Sequence, residues 1–222
     1  MSSILSSPAA SYGKRPPAAI ELTSEGVMAA SIAGKHEDPV FAFEALRPGI
    51  LVPGISELNM TSPEAVSLAI RNALGAVNPS TRYITVVIPD TAVRVFVLDF
   101  DTLPSKASEA IPVLRFRLRK MVPFDVEHAG LSYQILTQTK TEARVLVAVL
   151  PSNILEEYET VVRGAGYEPG SVMPSALAAL ATLESDEPLL AACLSKVAIT
   201  TSITRGDDLL LYRTLDLPEE FS

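Results

Sequence analysis

The sequence predicts a mixed α/β protein with a small α+β insertion. Three observations carry this reading. Of the 222 residues, 48% are hydrophobic and 20% charged, which supplies a sizeable core. Short apolar segments with strand character alternate with four segments whose apolar residues recur at helical spacing. These segments follow the order strands, helix, strands, helix, hairpin, helix, short strand, helix, strands, which is neither all-β nor a strict βαβα repeat.

The ordered chain is expected to begin near Ala18, after a Ser/Ala/Pro-rich leader over 1–17. Ala18–Leu22 and Gly26–Ile32 read as strands around the turn Thr23-Ser24-Glu25, and Val40–Ala45 as a third. Ser62 can cap a helix, Pro63 suits its first position and Glu64 favours its dipole. Val66, Ile70, Ala73 and Val77 give its stripe, and Asn78-Pro79 stops it. Tyr83–Ile88 is nearly all apolar, as a strand buried on both faces should be. A turn at Pro89-Asp90-Thr91 leads to a strand at Val93–Phe100, whose odd and even residues point to opposite sides.

A second helix is expected over Glu109–Val122, starting late because Pro112 suits only a helix start, and stopping at Pro123-Phe124. Leu131–Thr137 and Arg144–Leu150 form a hairpin pattern. A third helix spans Asn153–Arg163, with Gly164 and Gly166 available to cap it. A short strand at Gly170–Met173, a helix at Ser175–Leu183, and strands at Leu189–Leu194, Val197–Thr204 and Leu209–Leu215 complete the chain.

Composition removes several function classes. Lys+Arg number 18 and Asp+Glu 26, a net charge of −8, so no broad basic surface exists for nucleic acid or anionic lipid. The single cysteine, Cys193, forbids an intramolecular disulfide and fits a reducing compartment. His36 and His128 are far apart and outside any Cys/His cluster, so neither is assigned a role and no metal site is expected. No stretch reaches the about 18–20 apolar residues that cross a bilayer. The leader, with Lys14 and Arg15 late and no apolar block, does not read as a signal peptide. Phosphate-loop, Gly-x-Ser-x-Gly and HExxH patterns are missing from the sequence.

One long run carries a resemblance. Leu103–Phe124 reads LPSKASEAIPVLRFRLRKMVPF; the strand LSYQIL, the passage VLVAVLPSNILEEY and the segment GAGYEPGSVMPSALAAL follow. A helix ending in Pro-Phe, a "YQ" strand, an apolar strand leading through Pro into a helix, and "AG-x-x-P" before a small-residue helix occur in this order. The run resembles PilM and the wider FtsA-like group of pilus and secretion proteins. The resemblance implies an actin-like (ribonuclease H-like) α/β fold of two lobes with a small inserted α+β subdomain. On that basis the first lobe covers 18–102, the insertion 103–166, a return to the first lobe 167–186, and an incomplete second lobe 187–222.

In that family two hairpins hold the phosphates and magnesium of a nucleotide, using an acidic residue, glycines and small hydroxyl residues. The first resembles L-D-I-G-S-S-S-V-K; here Glu21 replaces the Asp, Thr23 the Gly and Met28 the basic residue, Ser24 is retained, and Glu25 adds negative charge. The second resembles D-I-G-x-G-S-T; here Cys193 and Ser195 stand where the acid and first glycine should be. The resemblance therefore implies a degenerate cleft: no magnesium-ATP, no cofactor and no turnover, a pseudo-ATPase. Glu21 remains readable as a magnesium-water ligand or as a polar strand residue, and Cys193 as a reactive thiol or a small buried hydrophobe.

The implied function is a non-catalytic cytoplasmic scaffold at the inner membrane, in a type IV pilus or type II secretion-like platform. Its partners would be the extended tail of a PilN-like bitopic protein, held in a groove between first lobe and insertion, and other platform proteins. The expected contact residues are Arg115, Arg119, Pro123, Phe124 and Tyr133. For the basic cluster Arg115, Arg117, Arg119 and Lys120 a solvated helix face is the commoner explanation, with docking to an acidic partner the alternative, and Pro123-Phe124 reads most simply as a helix stop and core anchor. The alternatives are an ATP- and magnesium-binding member of the same machine, a GspL-like component, or an α/β binding module unrelated to pili.

Overall fold

The computed structural model describes residues 16–32, 38–183, 185–206 and 208–217. Almost all of the expected leader over 1–17, and His36, lie outside them. The described strands form three sheets.

The first sheet has the order β3-β2-β1-β4-β8, from β1 (Ala18–Leu22), β2 (Gly26–Ser31), β3 (Val40–Ala45), β4 (Tyr83–Ile88) and β8 (Glu168–Pro174). β1, β4 and β8 run parallel, and β2 and β3 are added antiparallel. Helices α1 (Pro63–Val77) and α3 (Ser152–Gly164) pack on each other and on this sheet. Ile20, Leu22, Ile70, Leu74, Ile84 and Tyr158 are essentially sealed from solvent in the core they share.

Local chemistry explains the helix ends. Pro63 opens α1, although the Ser62 hydroxyl makes no capping bond as expected; the Ser62 carbonyl accepts from Ala65 and Val66 instead. Asn78 turns left-handed (φ 45°) and closes the helix on the Leu74 carbonyl. At the end of α3, Gly166 takes φ +94° and the Tyr167 N–H reaches the Val162 carbonyl, a Schellman closure. Gly164 has a different task. A Cβ there would sit 2.9 Å from Ser67 Oγ, so the glycine lets α1 approach; Ser67 Oγ then donates to the Val161 carbonyl and Arg71 to that of Gly164.

The second sheet has the order β5-β7-β6, from β5 (Arg94–Phe100), β6 (Gly130–Gln138) and β7 (Ala143–Leu150), all antiparallel. Helix α2 (Ala107–Leu118) lays Ala110, Leu114 and Leu118 on it. The helix starts earlier than expected and keeps Pro112 inside it. Pro112 faces solvent, where the carbonyl it leaves unpaired is free to meet water. The unit also differs in extent from the 103–166 insertion. β5 pairs with β7 along its whole length, fixed by the two-pronged Arg144–Asp99 bond (2.7 and 3.2 Å), whereas α3 packs with the first sheet. The reason is burial. Phe96, Leu98 and Phe100 need the cover of α2, and the stripe Ile154, Tyr158, Val161 and Val162 needs α1.

The third sheet, order β11-β10-β9, comprises β9 (Leu189–Leu194), β10 (Ala198–Arg205) and β11 (Asp208–Asp216). It follows the short helix α4 (Ser175–Leu180). Leu209 and Tyr212 pack with Ala176 against Val95 and Val97, the other face of β5.

Residues 51–60 are held to α3 by one polar network. Glu157 accepts the backbone N–H groups of Asn59 (2.7 Å) and Met60 (2.9 Å), and the Tyr158 hydroxyl donates to Asn59 Oδ1 at 2.9 Å. Asn59 Nδ2 donates to the carbonyls of Gly54 and Glu57. Asn59 is 1% exposed, so its loss strands several buried groups together. Tyr158→Phe should cost about 1 kcal/mol and Asn59→Ala about 2–3 kcal/mol in urea unfolding. Equal, negligible costs would show that the loop is held by something else.

Candidate functional site

Three parallel strands ending at one edge bring their following residues together. β1 leads to Thr23, β4 to Asp90, and β8 to Ser175. The carboxyl edge of a parallel sheet is where such folds receive ligands, because the loops there converge over open backbone. The third sheet lies across this edge: Tyr212 of β11 bonds to Asp90.

Both hairpins that face each other there consume their own N–H donors. In the first, Thr23 Oγ1 accepts from the N–H groups of Glu25 (3.3 Å) and Gly26 (3.2 Å). In the second, Ser195 Oγ accepts from Val197 (3.3 Å) and Ala198 (3.0 Å). These are hydroxyl-closed turns, with the side chain doing what a bound anion does at an open turn. Ser24 sits in the first turn and makes no hydrogen bond among those described. Gly26 is needed for packing: a Cβ would meet the Phe43 ring at 2.6 Å and the Glu44 carbonyl oxygen at 2.3 Å. Lys196 Nζ lies 2.5 Å from Glu25 Oε1 and joins the two turns.

Behind the turns lies a carboxylate pair. Glu21 accepts from the Ser175 hydroxyl. Asp90 accepts from Tyr212 Oη (2.9 Å) and from the Ala176 N–H (3.2 and 3.3 Å). Burial pushes the Asp90 carboxyl above the usual range; the bonds from Tyr212 and Ala176 oppose this, and the Glu21 charge adds to it. Burial also raises the Tyr212 hydroxyl, with the Asp90 charge assisting. Cys193 is half-buried, and burial, then Asp90 and Glu21, push its thiol up, away from the reactive thiolate. Among the described residues no group of three or more His, Cys, Asp and Glu is placed to hold a metal ion.

A second concavity, of about 390 Å³, opens between the first sheet's loop and the second unit. Ile55 and Ser56 of the loop, Phe124, Asp125 and His128 of the second unit, and Pro151, Ser152 and Asn153 at the start of α3 line it. Of the expected contact residues, Phe124 lines it. Arg119 bonds Glu127 at 2.6 and 3.1 Å and Arg115 bonds the Ala129 carbonyl at 3.1 Å, tying α2 to the segment that carries Asp125 and His128. Pro123 is exposed beside it, whereas Tyr133 packs into the second unit's own core. The His128 ring bonds Asp125 at 2.8 Å, and this bond with the Glu127 N–H holds the Asp125 carboxyl below its usual range.

Sequence reasoning missed Asp90, Ser175 and Tyr212. Asp90 carried a usable signal, since it stands in the turn after a strand readable as buried on both faces; Ser175 and Tyr212 carried none. Asp90 also yields a pH signature. Its folded-state value is raised, so the folded chain binds the proton more tightly than the unfolded one. Its stabilising contribution is complete below the ordinary carboxylate value of about 4 and is lost as pH rises through the folded value. Asp90→Asn keeps an acceptor for Tyr212 but cannot titrate. The stability of wild type relative to Asp90→Asn should therefore fall as pH rises above about 4 in urea titrations; a flat or rising difference would contradict the burial assigned to Asp90.

No family model matches the sequence, and a search of curated proteins finds no significant match. Solved structures do match. The fold is similar to a chain of the PilM-PilN type IV pilus biogenesis complex, with a TM-score of 0.79 and 22% identity, covering 94% of this chain. The chain spans 63% of the length of that protein. It is also similar to the cytoplasmic domain of EpsL, an inner-membrane component of the type II secretion system of Vibrio cholerae (TM-score 0.57, 13% identity, 90% of this chain and 70% of that one). A Bacteroides thetaiotaomicron protein of actin-like ATPase fold and unknown function matches at TM-score 0.52 and 10% identity, over 92% of this chain and 71% of that one. The fold is therefore the actin-like α/β fold in its PilM-like form.

Proposed function

We propose that this chain is a non-catalytic scaffold of a type IV pilus or type II secretion-like platform, holding the extended cytoplasmic tail of a PilN-like membrane protein. The observation that carries the reading is the concavity between the first sheet's loop, Phe124 and the start of α3. It offers a half-buried aromatic wall and, at the start of α3, polar groups to an extended segment, as peptide grooves do. The chain sharing its fold at TM-score 0.79 comes from a PilM-PilN complex, which supports a partner of that kind. No described helix is long and apolar enough to cross a membrane. Attachment at the cytoplasmic face of the inner membrane would then come through the tail.

The non-catalytic part rests on the other site. A nucleotide's phosphates need free N–H donors, close backbone and a countercharge. Thr23 and Ser195 occupy the donors, Phe43 fills the space at Gly26, and the ammonium that joins the two turns, Lys196, is already paired with Glu25. These residues do not fit magnesium-ATP, and no step is assigned to it.

Calorimetric titration tests both parts. Magnesium-ATP should give no micromolar binding; clear binding would overturn the non-catalytic reading. A synthetic N-terminal tail of the bitopic membrane protein encoded beside this gene should bind, and Phe124→Ala should weaken it at least about tenfold. If no such tail binds the wild type, the scaffold reading fails.

A further inference from the structure

We infer that the third sheet is locked over the cleft by the protein's own side chains, Tyr212 on Asp90 and Lys196 on Glu25, so that closure needs no bound ligand. The inference rests on the non-catalytic reading of the cleft and names what replaces the ligand.

Among the described residues the third sheet follows α4 in the chain and meets the rest of the fold through non-covalent contacts. Its apolar contact joins Ala176, Leu209 and Tyr212 to a wider set of half-buried side chains that includes Val95, Val97, Leu146 and Leu177. Apolar burial is non-directional, so the polar contacts set where on that surface the sheet sits. They fall at three separate points. Lys196, in the β9–β10 turn, meets Glu25 at 2.5 Å. Tyr212, in the middle of β11, meets Asp90 at 2.9 Å. Asp216, at the end of β11, meets Arg94 at 3.5 Å.

The contacts differ in strength. Glu25 and Lys196 are each more than half exposed, so their pair is weak and screened by salt. The Tyr212–Asp90 bond is part-buried and charge-assisted, and is the stronger tie. The Lys196 ammonium also neutralises the Glu25 charge that would otherwise repel the acidic pair behind it.

Hydrogen–deuterium exchange of the whole chain, read by mass spectrometry on the β9–β11 amides, tests the lock. Glu25→Lys and Lys196→Glu should each speed that exchange about two- to fivefold, and the double reversal should restore it. Tyr212→Phe should speed it about tenfold. Amides of α1 and β4 should not change in the charge variants, which separates opening of the sheet from unfolding. Unchanged exchange in the single variants, or no recovery in the double reversal, overturns the lock even if magnesium-ATP proves not to bind. Slowing of wild-type exchange by millimolar magnesium-ATP overturns it from the other side, by showing that a ligand closes the cleft.

Discussion

The placement of β4 between β1 and β8, all parallel, is the constraint from which the rest follows. Parallel pairing of three strands requires two crossings, since each return must travel outside the sheet. α1 makes the first crossing; the second unit and α3 together make the longer one. The same geometry puts the first hairpin, Asp90 and Ser175 within reach of one another, although they are far apart in sequence. The third sheet then docks where the strands end. Core, cleft and insertion are thus consequences of one pairing pattern.

The two concavities differ in how their polar groups are satisfied. At the cleft, the turn N–H groups bond Thr23 and Ser195, Asp90 bonds Tyr212 and Ala176, and Glu21 bonds Ser175, while the buried Thr91 hydroxyl is left without a partner among the described residues. A ligand entering there would have to break those bonds first, and its net gain would be reduced by their cost. Beside Phe124, Arg115 and Arg119 tie α2 to the segment that carries Asp125 and His128 while the aromatic wall stays half-buried. A surface built in advance, with apolar area still exposed, is the better receiver for a partner segment.

Much of the fold was legible because the signals were local. β1, β3, β4 and β9 have the bounds that alternation and apolar runs predict, and α1 lies between Pro63 and Asn78 as its stripe and breakers require. Where pairing decided, the sequence was silent. Nothing local distinguishes a β5 that joins the first sheet from one that joins β7, because both neighbours accept an apolar strand. Pro112 misled because local propensity was outweighed by packing: Ala110, Leu114 and Leu118 bury against the second sheet, and the carbonyl that the proline leaves unpaired faces water. At the site, Thr23, Ser195 and Phe124 were readable from motif positions. The Tyr212–Asp90 bond spans 122 residues and was not.

The Phe43 ring over Gly26 bears on how such a cleft changes over evolutionary time. Exchanging Thr23 for glycine would release two N–H groups, yet the aromatic ring would still fill the space beside the turn and Lys196 would still bridge it to the opposite hairpin. Trimming Phe43 alone would leave the donors occupied. Opening the turn to an anion would therefore take changes at Thr23, Phe43 and Lys196 together, so no single exchange frees it.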